Sequence, residues 1–309
     1  MANGMKTFFV VNPESAAGKT GRRWAQISAE LGKSLGSFGH GFTERPLHAV
    51  ELARRALHEG YECVVAVGGD GTVNEVVNGF FEGGSAINPG AALGVLPAGT
   101  GGDFRRTFGW ELAVSGGARR LGGPDTRPFD VGLVEYTAPS GEKARRYFAN
   151  ICSFGVSGLV DREVGRASKT LGGRAAFFVG STRALLQYSD KPVRMKLDGG
   201  PAQDFQVTTV AVANGRYFGG GMCVAPDADP SDAQFDVTVW SGFGVTDFIT
   251  KSASLYSGEH VKLSGTRRFR CKVLEAESDA EVLLDVDGEQ PGALPCRISL
   301  LPGAIRLKA

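Results

Sequence analysis

The chain predicts an α/β domain built on a parallel sheet, followed by an all-β sandwich domain, and three observations carry that prediction. The first ~110 residues repeat one theme three times: a short apolar strand, a glycine-containing loop and a helical pattern. Beyond the Gly/Pro-rich stretch GGPDTRP, at 122–128, short alternating strands take over. The length of 309 residues exceeds one ordinary domain and is enough for two cores.

In order, Phe8-Phe9-Val10-Val11 is a buried-type strand that leads into NPESAAGKTG and a helix from near Arg22 to Leu31. Leu47, Val50, Ala53, Ala56 and Leu57 then share one helical face, as the crossover between parallel strands requires. Val64-Val65-Ala66-Val67 enters GGDGT and a helix near Asn74 to Phe81, and Leu93-Gly94-Val95-Leu96 enters PAGTGGDF. The second half reads FDVGLVEY, RYFANI, VRMKL, FQVTTVAVAN, FDVTVW, VLLDVDGE, RISLL and AIRL, an antiparallel sandwich or barrel. The stretch 162–188 is the exception, its AAFFVGSTRALLQY portion being helix-compatible. The domains are set at 1–125 and 126–309, with the last strand a candidate to return to the first.

Charge excludes a global field. There are 34 basic against 33 acidic residues, a formal +1, so no nucleic-acid partner is expected. Locally, 162–196 carries eight Lys/Arg (Arg162, Arg166, Lys169, Arg174, Arg183, Lys191, Arg194, Lys196) against Glu163 and Asp190. That excess reads either as a solvated face or as a surface for anionic lipid. The five cysteines have neither close pairing nor metal-ligand spacing and read as reduced, buried thiols. No signal-peptide pattern and no apolar run of about 18 residues is found, so a cytoplasmic protein without a transmembrane segment is expected.

The glycine loops follow strands, and open α/β sheets bind ligands beyond the carboxyl ends of their strands. A triphosphate needs backbone N–H donors at close approach, which Gly68-Gly69-Asp70-Gly71-Thr72 supplies through glycine and a following helix N-terminus. Asp70 beside polyphosphate implies Mg²⁺, since a bare carboxylate there is repelled. Asn12, Ser15, Gly18 and Lys19 form a companion loop after the first strand, and Gly99-Thr100-Gly101-Gly102-Asp103 one after the third. Neither has Walker A spacing. The pentapeptide taken alone is equally an Asp-Gly turn.

VVNPESAAGK, FTE at 42–44, VAVGGDGTVNEVVNGF, LGVLPAGTGGDF, VANGRYFGGGMCVAPDADPSDAQFDV and VDGEQ occur in an order that resembles the diacylglycerol kinase catalytic-domain family. That family includes the sphingosine and ceramide kinases and the bacterial YegS-like lipid kinases. The resemblance runs from Val10 to about Gln290 and implies a Rossmann-like, phosphofructokinase- and NAD-kinase-like first domain and a lipid-substrate domain after it. It implies that ATP contacts Asn12, Thr43, Gly68, Gly69, Asp70, Gly71, Thr72, Val73, Asn74 and Thr100. It also implies that Glu289 accepts the proton of a lipid hydroxyl beside Asp287, and that Asp103 hydrogen-bonds the acceptor. A structural metal would rest on Asp232 with backbone oxygens of Asp229 and Gln234. The family usually has Asp-Gly where this chain has Asp232-Ala233, and Asn-Asp where it has Gly102-Asp103.

The expected activity is transfer of the γ-phosphoryl group of ATP, with Mg²⁺, to the primary hydroxyl of a membrane lipid such as diacylglycerol or ceramide, at the inner face of the membrane. A soluble-substrate kinase of the NAD-kinase type and an inactive lipid-binding regulator are the alternatives. Nothing in the sequence fixes oligomeric state, a homodimer included.

Overall fold

The computed structural model describes residues 5–98, 102–166 and 173–309, without the side chains of 161, 163–166 and 173–178. Thr100, Lys169 and the side chains of Arg166 and Arg174 therefore lie outside the described residues. The chain forms two compact units, Met1–Asp130 with Pro302–Ala309, and Val131–Leu301.

In the first unit, β1 (Thr7–Val11), β2 (Gly39–Phe42), β3 (Cys63–Gly68) and β4 (Ala92–Pro97) lie in the order β2, β1, β3, β4, all parallel. Arg306 and Leu307 of the closing strand add a fifth parallel member beside Ala92 and Leu93. β1 and β3 are buried at every position, which is why they read as unbroken apolar runs. One face packs Phe9, Val65 and Leu96 against Trp24, Ile27 and Leu31 of α1 (Trp24–Leu35) and Leu121 near the chain's 121st position.

The crossover helix α2 (His48–His58) buries Ala49, Leu52, Ala53, Ala56 and Leu57. Leu47 does not belong to that face. It takes a left-handed φ of 64° just before the helix and is 55% exposed. α3 (Asp70–Gly79) starts at Asp70 rather than near Asn74, because Gly69 is its extended N-cap. Two short helices follow, α4 (Asp103–Thr107) and α5 (Val114–Gly122).

In the second unit one antiparallel sheet contains the hairpin β5 (Thr126–Thr137) and β6 (Lys143–Phe148). The other sheet includes β7 (Ile151–Gly155), which leads into α6 (Val156–Arg166) and α7 (Gly173–Gln187). Four expected strands divide or merge. RYFANI splits at the bend between β6 and β7, and FQVTTVAVAN splits into β9 (Gln203–Val207), paired with β8 (Lys191–Leu197), and β10 (Thr209–Ala213). RISLL and AIRL instead belong to one strand.

β11 (Phe235–Trp240) pairs with β10 and with β12 (Thr266–Cys271), and the sheet runs β12, β11, β10, β7 and β14 (Leu284–Val286). The first sheet adds β13 (Val273–Glu277) between β8 and β15 (Ala293–Lys308). Phe148, Val193, Phe205, Leu274 and Ile298 from one sheet meet Phe154, Val212, Phe235, Val237 and Leu284 from the other in a single core. The unit is a sandwich with helices added. α8 (Val245–Ser257), absent from the sequence reading, covers the outer face of β10 and β11 through Phe248 and Leu255 against Ala211, Ala213 and Trp240.

All five cysteines are free and buried, and burial pushes the thiols of Cys63, Cys271 and Cys296 up to about 12. Thiolate is the reacting form. We therefore expect native protein at neutral pH to show almost no fast reaction with a thiol-specific chromogenic reagent, and five equivalents once denatured. Rapid native labelling would refute the packing. The basic stretch is partly neutralised, since Arg194 pairs with Asp204 and Glu277. Among the described residues no helix is long and apolar enough to cross a membrane.

Candidate active site

The parallel strands of the first unit end in register: Val11 lies beside Phe42 and Val67, and Gly68 beside Pro97. The loops after them therefore leave one edge of the sheet. Asn12 extends β1, its amide donating to the Val67 carbonyl at 3.0 Å, and the Thr43 amide donates to the Val11 carbonyl at 2.9 Å. Asn12 Nδ2 donates to Thr72 Oγ1 at 3.1 Å, and Asn12 Oδ1 accepts the Glu14 amide at 3.1 Å, so one side chain joins the first loop to the glycine turn. Ser15 Oγ donates to Thr20 Oγ1 at 2.6 Å, which closes the loop on itself.

Gly68 is required by contact rather than by conformation. A Cβ placed on it would lie 2.3 Å from Thr72 Oγ1. Gly69, with φ −92°, is equally ordinary in its backbone, so this turn does not use a left-handed φ. Its chemistry comes from the helix start. No side chain caps α3, and its first hydrogen bond runs from the Val73 amide to the Gly69 carbonyl at 3.1 Å. The amides of Asp70, Gly71 and Thr72 thus have no partner within the helix and sit at its positive end. Thr72, Val73 and Asn74 are themselves buried, which fixes the turn against the sheet.

Asp70 has a task that its spacing alone did not reveal. Its Oδ2 accepts the amides of Gly102 and Asp103 at 3.1 and 3.0 Å, and its Oδ1 the amide of Phe104 at 3.1 Å. The carboxylate thus caps α4 and holds the third loop. Gly102 meets this with a left-handed φ of 78°, which an unbranched or β-branched side chain would resist. Asp103 is buried and its Oδ1 accepts from Arg106 Nη1 at 2.6 Å.

In the second unit Asp287 repeats the device. Its Oδ2 accepts the Ala149 amide at 2.9 Å, and its Oδ1 accepts those of Asn150 and Ile151 at 3.1 and 2.9 Å. Val286 and Glu289 bridge across a two-residue turn in which Asp287 and Gly288 have φ of 52° and 90°. That is the tight turn an Asp-Gly pair favours. Glu289 projects from its end with its side chain 54% exposed, 3.8 Å from Arg146 Nη1. A pair so exposed contributes little to stability.

Three groups beside this turn escaped the sequence reading. Asp285, buried, accepts from Ser153 Oγ at 2.7 Å and from the Gly288 amide at 2.9 Å. Asn150 receives the amides of Asn214 and Gly215 on its carbonyl, both at 2.9 Å, and its Nδ2 donates to the Tyr217 carbonyl at 2.7 Å. Asn214 Nδ2 donates to the Ala149 carbonyl at 2.8 Å. The signal that could have found them is the run VANGRYFGGG, whose Asn-Gly wraps the loop that Asp287 holds.

The set Asp229, Asp232 and Gln234 does not fit a hard-cation shell. Asp232 Oδ1 accepts the Gln234 amide at 3.0 Å, its Oδ2 is hydrogen-bonded by Arg270, and the Asp229 carbonyl accepts the Asp232 amide at 3.3 Å. Ala233, at φ 61°, keeps the left-handed backbone that a glycine would adopt freely. The loop shape is thus retained and the oxygens are not. Beside it, burial pushes the carboxyl of Asp236 above the usual range, against the pull of Arg270 and Arg268.

Comparison with known proteins agrees with this architecture. Residues 6–134 match the model of the diacylglycerol kinase catalytic domain, and residues 150–309 that of the YegS C-terminal NAD kinase beta sandwich-like domain. A diacylglycerol kinase of Bacillus subtilis is 29% identical over 277 residues, 86% of either chain, and one of Staphylococcus aureus (strain MRSA252) is 27% identical over 286, 93% of this chain and 86% of the relative. The crystal structure of a diacylglycerol kinase from Bacillus anthracis shares the fold with a TM-score of 0.72, at 21% identity and covering 100% of this chain and 98% of that one. With one model spanning the parallel-sheet unit and the other the sandwich, the chain belongs to the diacylglycerol kinase catalytic-domain family and is an enzyme of the lipid-kinase type.

Proposed function

We propose that this enzyme transfers the γ-phosphoryl group of ATP to the primary hydroxyl of a membrane lipid, with diacylglycerol the first candidate and a sphingolipid such as ceramide the second. The observation that carries the nucleotide half is the start of α3, where three amides without helical partners meet the Asn12–Thr72 bridge at the carboxyl ends of parallel strands. Such donors suit phosphate oxygens, and Thr43 follows the neighbouring strand β2. The relatives named diacylglycerol kinase support the lipid half.

In this reading Glu289, on its rigid turn, takes the hydroxyl proton. Asp287, beside it in the sequence motif, fixes the loop at 149–151. Three of Asp70's roughly four lone-pair sites hold amides, which leaves one for Mg²⁺ arriving with the nucleotide. When bound, Mg²⁺ supplies neutralisation of charge on the transferring phosphoryl group. The lipid substrate would be met at the inner face of the membrane by a peripherally bound enzyme.

The experiment is incubation with γ-labelled ATP and Mg²⁺ against vesicles containing diacylglycerol, ceramide, sphingosine or phosphatidylglycerol, with NAD⁺ in a parallel tube. Label is expected in the organic phase, greatest with diacylglycerol. Label confined to NADP would replace this reading with the NAD-kinase alternative, and no transfer to any acceptor would favour a regulator that keeps only the fold.

A further inference from the structure

We propose that the Arg270 guanidinium occupies the place of a divalent cation in the 227–236 loop, so that this chain needs no metal there and gains a Ca²⁺ site only when Arg270 is removed. The inference is independent of the phosphoryl-transfer reading.

The strand register makes the clamp. Asp236 on β11 faces Arg270 on β12, and Thr238 faces Arg268, so the two arginines share one side of the strand by the two-residue period. Around them Asp227, Asp229, Asp232 and Asp236 line a surface cavity of about 560 Å³. Arg268 Nη2 reaches Asp227 Oδ2 at 2.7 Å and Asp236 Oδ1 at 3.3 Å. Arg270 bonds Asp232 through Nη2, and its Nε stands 3.5 Å from Asp236 Oδ2.

Asp236 is the second, independent pointer. Its side chain is 5% exposed, and its buried Oδ2 has no hydrogen-bond partner. A buried oxygen in that state is costly unless a cation stands near it. Arg270 is that cation, and it spans Asp232 and Asp236 as a metal between two carboxylates would. Four carboxylates face two guanidiniums in the cavity, a formal excess of two negative charges. Without Arg270 the excess becomes three. Asp232 then loses its arginine and Asp236 keeps only Arg268, on Oδ1, so that the two Oδ2 atoms offer the oxygens a hard cation takes.

The test uses the full chain without nucleotide. Calcium bound at equilibrium dialysis and the thermal midpoint in EDTA or calcium would be measured for wild type, Asp232→Asn, Arg270→Gln and the double variant. Arg270→Gln is expected to bind one more Ca²⁺ per chain than wild type, and the double variant to lose that extra ion. In EDTA the midpoint of Arg270→Gln should fall by about 3–6 °C and recover with calcium, whereas wild type should not respond to calcium through this site. Equal calcium stoichiometry in wild type and Arg270→Gln overturns the proposal, as does an unchanged midpoint in EDTA. A wild-type calcium ion lost on Asp232→Asn overturns it too. Should Arg270→Gln be unfolded in EDTA, refolding on calcium supports the proposal and failure to refold overturns it.

Discussion

Glu289→Gln should reduce turnover by roughly 10²–10⁴-fold while leaving the thermal midpoint almost unchanged. Glutamine keeps the shape and the backbone bridge to Val286, which runs through the amide and carbonyl of residue 289 rather than its side chain. Only the proposed proton acceptor is lost. The side chain is more than half exposed and its partner Arg146 stands at 3.8 Å, so stability has little to lose, at most about 1 kcal/mol. Steady-state transfer of labelled phosphate at saturating ATP checks the first half, and scanning calorimetry the second. Turnover within a few-fold of wild type would remove Glu289 from the chemistry.

Asp70→Asn carries the second large effect, and its value lies in separating two roles. Asparagine has a single acceptor oxygen where aspartate receives the amides of Gly102, Asp103 and Phe104 on two. Its NH₂ would face amides that also donate. Hydrogen bonds to a charged acceptor contribute about 1.5–3 kcal/mol each, so a loss of roughly 2–4 kcal/mol is expected in urea unfolding with neither ATP nor Mg²⁺ present. Turnover should fall at least about 10²-fold, because misplacing a positioned loop costs that much. A group that only faced Mg²⁺ would leave apo stability unchanged or raise it, and that outcome would refute the loop-holding role.

The legible part of the fold was the part whose physics is local. Strands buried on both faces, such as Val64 to Val67, announce themselves as apolar runs, and each leads into a glycine loop at the edge where a parallel sheet binds ligands. What was not legible depends on distant partners. Gly39–Phe42, a strand reading GHGF with alternate exposure, has almost no apolar signal and is a strand because Val11 and its neighbours pair with it. β12 and β13 read as charged stretches, since arginines and glutamates occupy their solvent faces. α8 has only modest amphipathic pattern and is fixed by the sheet beneath Phe248.

The same division runs through the candidate site. The residue types of GGDGT pointed to phosphate chemistry, and the proton role of DGE came only with the resemblance to one family. That Asp70 and Asp287 each gather three consecutive amides belongs to sequence separations of 32 to 34 and 136 to 138 residues. No local pattern encodes such a contact. Similarly, Asp232 reads as a ligand until Arg270, in another strand, takes one of its oxygens.

The closing strand has a consequence for biosynthesis. Arg306 and Leu307 complete the sheet of the first unit beside Ala92 and Leu93, although 171 residues of the other unit, Val131–Leu301, are translated in between. A ribosome moving at about 5–20 residues per second needs on the order of ten seconds to bridge that gap. Throughout it β4 is an open, fully apolar edge, the kind that recruits foreign strands. The nascent chain is thus most exposed to aggregation while its sandwich is being made, and the pairing of Arg306 and Leu307 ends that exposure.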